Sequence, residues 1–327
     1  MWLIVHVLQC ACFLASALAS LFPNKLPSFR NAAGVGHLLV GLSLLLVPAR
    51  YNSVAIQGTF DTLHAFLQSY SAPFHLGLAY FLLSPAGLPH QKPFVFARAF
   101  TAFMSLFTRL LTAWHLTEKS TRGLLMSDHF ILCALLTDGA WLLNEVVTLF
   151  SSRRTKQEEI DQMCKRTTLW LEGKGSFYLE NAFYIDAGLC LLTALVHFAF
   201  PQHILKLITS TEHALDSHHI MWCRMFGCLS LLPALCSLLI RHMSPSVQIH
   251  YLGSRLVNQV LIFILNILGH WALSIFSPNH ISGFMMSGFV MSFLFSVFYR
   301  ANSHYQNFPK TRLQNIAESQ LLKTKDS

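Results

Sequence analysis

The sequence predicts an all-α, polytopic membrane protein, and three observations carry that class. Of its 327 residues, 53% are hydrophobic and only 12% charged, against roughly 25% charged for a soluble domain. The apolar residues gather in runs of membrane-spanning length, without the period-two alternation of a transmembrane barrel. In hydrocarbon only helices and closed barrels satisfy every backbone amide, so these runs are helices. About nine spans are expected: one at the N-terminus, then two tandem four-helix units joined by a charged hinge.

Residues 1–22 form a signal-anchor-like span. No basic residue precedes it, and the small residues Ala17 and Ala19 near its end also fit a signal-peptidase site, so retention and cleavage both stand. The first unit, residues 30–150, holds runs near 32–48, 69–84, 94–114 and 129–150, the second of them short and flanked by proline. Residues 151–180 then bring Arg153, Arg154, Lys156, Lys165, Arg166 and Lys174 together with Glu158, Glu159, Asp161 and Glu172, the pattern of a solvated hinge. The second unit, residues 181–300, holds runs near 181–201, 220–240, 256–275 and 281–299, and residues 301–327 are a polar tail.

The two sets of four share spacings. Arg98 precedes Trp114-x-Leu116 by the same interval that separates Arg255 from Trp271-x-Leu273. The first span of each set ends in proline, Pro48 and Pro201, and the fourth begins at Asp128-His129 or Asn279-His280. These matches predict an internal repeat, and an even number of spans per copy gives both copies one orientation.

Basic residues orient the chain. The hinge, the tail and the loops on their side carry sixteen Lys and Arg, the opposite loops four, and three lie within spans. The positive-inside rule therefore places hinge and C-terminus in the cytosol and the N-terminus in the lumen, which favours a retained first span. The same distribution accounts for the net charge of +8 without nucleic acid. Lys323 and Lys325, third and fifth from the C-terminus, have the spacing of a dilysine retrieval signal and point to the endoplasmic reticulum. A tail read in that way makes no tertiary contacts from about Gln306 onward.

Ionisable groups at membrane depth are costly and mark candidate sites. Arg109, Asp138, Glu145, Asp186 and Arg224 form the expected buried polar network, whereas Arg98 is read as snorkelling to the headgroups. Asp138 and Glu145 are seven residues apart, hence on one helix face, and one of them is the expected partner of Arg109. The fourth helix of the second unit has no such acids, so the network reads as one-sided. Asp216, His218, His219 and Cys223 are the densest ligand-like group, but no second cluster at recognisable spacing completes four ligands, and no metal is expected. The eight cysteines include no CxxC pair. No hydrolase, metalloprotease, nucleotide or dinucleotide motif occurs, so no catalytic residue and no cofactor is assigned.

From Phe183 to about Arg300 the outline is Phe200-Pro201, Arg224-x-x-Gly227 with Ser230 behind it, Arg255, and a fourth span of small residues. This half resembles the p53-inducible four-span membrane protein family. The first half keeps Pro48 and Gly77 but has Phe74 near the place of Arg224. The resemblance implies a non-enzymatic endomembrane protein linked to growth control or signalling.

Function then reads as a multi-pass endoplasmic-reticulum protein, a non-catalytic scaffold, regulator or assembly factor with the bilayer and helix-contacting proteins as partners. Two alternatives stand beside it: a channel or carrier with a polar path near Arg109, Asp138 and Glu145, and a membrane-embedded enzyme acting on lipid. A water-accessible cavity lined by Asp138, Glu145 and Arg109 favours the first alternative, and a cleft opening sideways to lipid with a paired histidine and acid favours the second.

Overall fold

A computed structural model describes residues 2–22, 31–47, 56–57, 61–84, 92–118, 125–126, 128–151, 176–241, 243 and 245–325. The helices are α1 (Trp2–Leu21), α2 (Ala32–Leu46), α3 (Thr62–Ser69), α4 (Ala72–Leu83), α5 (Lys92–Glu118), α6 (Asp128–Ser151), α7 (Ser176–Ala199), α8 (Pro201–Ile208), α9 (Ser217–Ile240), α10 (Pro245–Ile267) and α11 (Ile281–Lys325). A π-helical turn, Leu268–Ala272, extends α10. One short antiparallel pair, β1 (Ile56–Gln57) with β2 (Leu125–Met126), joins two loops. Among the described residues seven helices are long and apolar enough to cross a membrane: α1, α5, α6, α7, α9, α10 and α11.

Helix α5 shows why the chain is a membrane protein. Phe96, Phe100, Phe103, Phe107 and Leu110 recur at helical spacing and face outwards, while Arg98, Thr101, Ser105, Thr108 and Thr112 are buried. In water that distribution would be inverted. The threonine hydroxyls donate to carbonyls four residues back, Thr101 to Ala97 at 2.9 Å and Thr108 to Met104 at 2.8 Å, so they sit in the interior without unmet demand. Helix α6 repeats the scheme, with Leu132, Leu136, Leu143 and Phe150 outside and Asp138, Asn144 and Glu145 inside.

The two halves are not successive bundles. Within each half the pairings are α2 with α4 and α5 with α6, and correspondingly α7 with α9 and α10 with α11. Across the halves α4 packs on α10 and α5 on α9. The expected tandem layout is therefore corrected: the middle helices of each half exchange partners, and two apolar clusters, one from Phe13 to Ala301 and one from Leu44 to Phe276, each draw on both halves. Small residues allow the crossing. A side chain on Gly77 in α4 would sit 2.9 Å from the Ser254 carbonyl oxygen of α10, and Ser254 Oγ donates to the Gly77 carbonyl at 2.6 Å.

The N-terminal helix does not stand apart from this packing. It lies between α2 and α6, with His6 Nδ1 2.9 Å from Thr137 Oγ1 and Ser20 Oγ 3.0 Å from Thr148 Oγ1.

Three boundaries differ from the sequence expectation. The run near 69–84 is a broken rod that starts earlier: Asp61 caps α3, Tyr70 and Ser71 form a turn, and α4 restarts through Pro73, which has no N–H for the preceding turn. Helix α10 starts at Pro245 rather than near 256 because Gln248 Nε2 donates to the carbonyls of Ile240 and Arg241, 3.1 and 3.0 Å away, turning a polar stretch into a buried helix start. Helix α11 has 45 residues and runs to Lys325. At 1.5 Å per residue it is about 68 Å long, more than twice a hydrocarbon core of about 30 Å, so its polar end leaves the membrane. The tail is thus helical, and Lys323 and Lys325 fall in its last turn. Hinge residues 152–175 lie outside the described residues.

Candidate functional site

Helices α3 and α9 begin with the same device, Asp61-x-x-His64 and Asp216-x-x-His219. Each aspartate is the N-cap. The His64 amide donates to Asp61 Oδ1 at 3.0 Å, and the Asp61 amide donates back to His64 Nδ1 at 3.3 Å. At α9 the His219 amide donates to Asp216 Oδ1 and the Asp216 amide to His219 Nδ1, both at 3.1 Å. These are capping boxes in which histidine takes the place of Glu or Gln.

Each box also reaches the other. His64 Nε2 lies 2.9 Å from Asp216 Oδ2, and His219 Nε2 lies 3.3 Å from Asp61 Oδ1. The two imidazoles overlap with ring centres 3.8 Å apart. Four side chains thus close a ring between helices of opposite halves. His213 Nδ1 adds a contact to Asp61 Oδ2 at 3.1 Å. His64 and His219 are buried and Asp61 is half-exposed.

Electrostatics hold both acids ionised. Burial works to raise the Asp61 carboxyl, but the bonds from His219 and His64 outweigh it and keep it well below the usual carboxylate range. Asp216 is held down in the same way, burial opposing and the bonds from His219 and His64 prevailing.

This ring stands at one end of the molecule. The β1–β2 pair ties the loop before α3 to the loop before α6 there, and a bridge between Thr209 and Phe276 ties the end of α8 to the segment before α11.

One turn further along α3 and α9, Leu67 and Trp222 begin the wall of a cavity of about 300 Å³ that also draws on α4, α7, α10 and α11. Tyr70, Phe74, Leu189, Phe226, Ile262 and Val290 make most of the lining apolar, and Arg255, Asn258, Gln259 and Asn266 give it a polar stripe on α10. Tyr70 donates its hydroxyl to Asn266 Oδ1 at 2.6 Å, and Asn266 Nδ2 donates to Ser287 Oγ at 3.0 Å. Asn258 Nδ2 and His280 Nδ1 are buried without a hydrogen-bond partner among the described residues.

The charged residues expected in a network resolve into three separate pairs. Arg109 Nε donates to Asp138 Oδ2 at 2.5 Å, with Ser105 Oγ donating to the same oxygen at 3.1 Å. Glu145 is taken by Arg98, whose Nε donates to Oε2 at 2.9 Å. Arg98 is only 2% exposed and does not snorkel, because α6 presents Glu145 to it inside the bundle. In the second half Arg255 grips Asp186 with Nε at 2.9 Å and Nη2 at 2.7 Å, and Ser237 Oγ donates to Asp186 at 2.6 Å. The one-sided reading is therefore corrected: the second half has its own pair, its acid on the first helix instead of the fourth. Arg224 is half-buried and joins no ion pair among the described residues. Beside the Arg109–Asp138 pair the space is about 20 Å³, room for a single water and not a conduit.

Asp216, His218 and His219 were visible in the sequence, and the partners that complete them, Asp61 and His64, were not. The signal was the repeated Asp-x-x-His before an apolar run, with His64 lying 152 residues before Asp216. The reading that no second cluster joins this group is corrected.

Residues 31–298 match the family model described as a domain of unknown function (DUF8292). No curated protein and no solved structure matches the chain.

Proposed function

We propose that this chain, which belongs to the DUF8292 family, holds a lipid-class amphiphile within the membrane and acts as its carrier, not as a scaffold. The observation that carries this reading is the cavity of about 300 Å³, a volume at the lower end of the range of about 300–1,000 Å³ for small-molecule sites. Its apolar walls suit a hydrocarbon body, and the stripe on α10 suits one polar group. A ligand that accepts from Asn258 Nδ2 removes the cost of a buried, unpaired donor. Purified protein is expected to retain such an amphiphile through detergent exchange, detected by native mass spectrometry. Val290→Trp, which places an indole in the cavity, should release it while leaving the helix content unchanged. Equal retention by both proteins, or none by either, would sink the reading.

A second reading, a membrane-embedded enzyme, draws on the acid–imidazole ring one helical turn from the cavity. Recovery of the amphiphile in chemically converted form favours it over the carrier.

The same proposal takes α2 and the broken rod α3–α4 as further passes, nine in all. Its support is that the loops before α3, α6, α9 and α11 meet at one end. Counting Arg255 with the spans, since it is buried in α10, leaves fifteen basic residues on the opposite side against four, which orients that side to the cytosol. The docking of α1 supports its retention with a lumenal N-terminus. The paired Asp-x-x-His boxes and the exchanged helix pairs support duplication of one unit. Residence in the endoplasmic reticulum rests on Lys323 and Lys325. Replacing both by serine should send the protein to the Golgi or cell surface by microscopy, and an unchanged reticular pattern would remove the retrieval signal.

A further inference from the structure

We propose that Asp61, His64 and His219, completed by Asp216, bind one divalent transition-metal ion, with zinc the best match to the donors. One ligand atom from each of the first three residues lies within 4.8 Å of the others, and Asp216 reaches both imidazoles, at 2.9 and 3.1 Å. Imidazole nitrogen with carboxylate oxygen is a borderline donor set that suits zinc. Thiolate is not part of it: Cys223 lies one turn deeper, its Sγ 3.8 Å from the His197 carbonyl oxygen and 3.9 Å from that of Pro201.

The ring geometry also leaves a nitrogen for an ion. His64 Nδ1 lies 2.7 Å from Asp61 Oδ1 and His219 Nδ1 lies 3.1 Å from Asp216 Oδ1. Ligation through Nε2 puts the proton on Nδ1, which then donates to the carboxylate of its own box in place of accepting the backbone amide.

The outer contacts of a metal site are also present. His213 Nδ1 lies against Asp61 Oδ2 at 3.1 Å, and the amides of His218 and His219 donate to Asp216 Oδ1 at 2.8 and 3.1 Å. Such contacts orient ligands and tune them. The His218 ring, buried and centred 6.1 Å from that of His64, leaves Nε2 without a partner among the described residues. An ion here would tie α3 to α9, and so one half of the molecule to the other, at the end of the cavity.

The test uses the full-length protein without a polyhistidine tag, stripped with chelator and dialysed against zinc, with metal content read by plasma mass spectrometry. Near-stoichiometric zinc is expected, with a rise in melting temperature that chelator reverses. In His64→Gln/His219→Gln both capping boxes persist, because glutamine serves at that position, but the zinc content should fall roughly tenfold or more. The cobalt form of the parent protein gives a readout that does not depend on variants folding. It should show ligand-field bands of a nitrogen–oxygen site and no thiolate-to-cobalt charge transfer. Zinc-free parent protein, zinc retained by the double variant, or a thiolate band would each overturn the assignment. None of these measurements involves the amphiphile, so the cavity reading stands or falls separately.

Discussion

Asp186→Ala is expected to remove most of the folded protein from cells. The carboxylate receives two bonds from Arg255 and one from Ser237, and the Arg255 and Asp186 side chains are 4% and 2% exposed. Alanine leaves a guanidinium buried between α7 and α10 with Asn258 Oδ1, 2.7 Å from Nη1, as its main remaining acceptor. Breaking a buried pair by removing one partner costs about 3–5 kcal/mol, comparable with the whole stability of many domains. The steady-state level and the melting temperature in detergent should both drop. Removing both charges is different in kind, since replacing a buried pair by apolar residues of similar volume is often neutral or better. Asp186→Leu/Arg255→Met should therefore recover most of the loss while changing the polar stripe of the cavity. A melting temperature for Asp186→Ala equal to that of the parent would show that the pair is solvated and the packing described around it is wrong.

Gly227→Val is the second large effect. Where α9 crosses α7, a Cβ on Gly227 would lie 2.8 Å from the Phe198 nitrogen and 2.9 Å from the Ala194 carbonyl oxygen. These are backbone atoms, so no rotamer change makes room and the helices must separate along their length. Overpacking of this kind costs about 1–3 kcal/mol, and more where the backbone itself has to move. Gly188 is the matched control. It lies in α7, where a Cβ would have no neighbour within 4 Å among the described residues, and alanine there should stabilise by about 0.5–1 kcal/mol through helix propensity. Melting temperatures that move in opposite directions for the two glycines support the close crossing. A melting temperature for Gly227→Val at or above that of the parent would show that Gly227 is not at a close crossing.

These expectations rest on contacts that differ in how far the sequence foretold them. The helix class and most helix positions were legible, because length and apolarity of a run are local properties and hydrocarbon admits few backbone solutions. The presence of buried charge was legible for the same reason: Asp138, Glu145 and Asp186 lie in runs with no other place for them. Their partners were not. Glu145 went to Arg98 rather than Arg109, and the partner of Asp186 was Arg255, in a stretch too polar to read as a helix interior. Polar residues are cheap in a loop and acceptable in a membrane helix only when another helix supplies their bonds, so local composition misjudges them.

The sequence by itself determined that the chain is helical and that it lies in a membrane. Only the tertiary structure decided that two helices open with Asp-x-x-His and that these openings face one another, that the middle helices exchange partners between halves, and that a cavity remains beside them. The last three of these depend on contacts between residues more than a hundred positions apart. They are set by which helix surfaces fit, by glycine where backbones touch and by charge where an acid needs a base, and none of that is written in the period of any single helix.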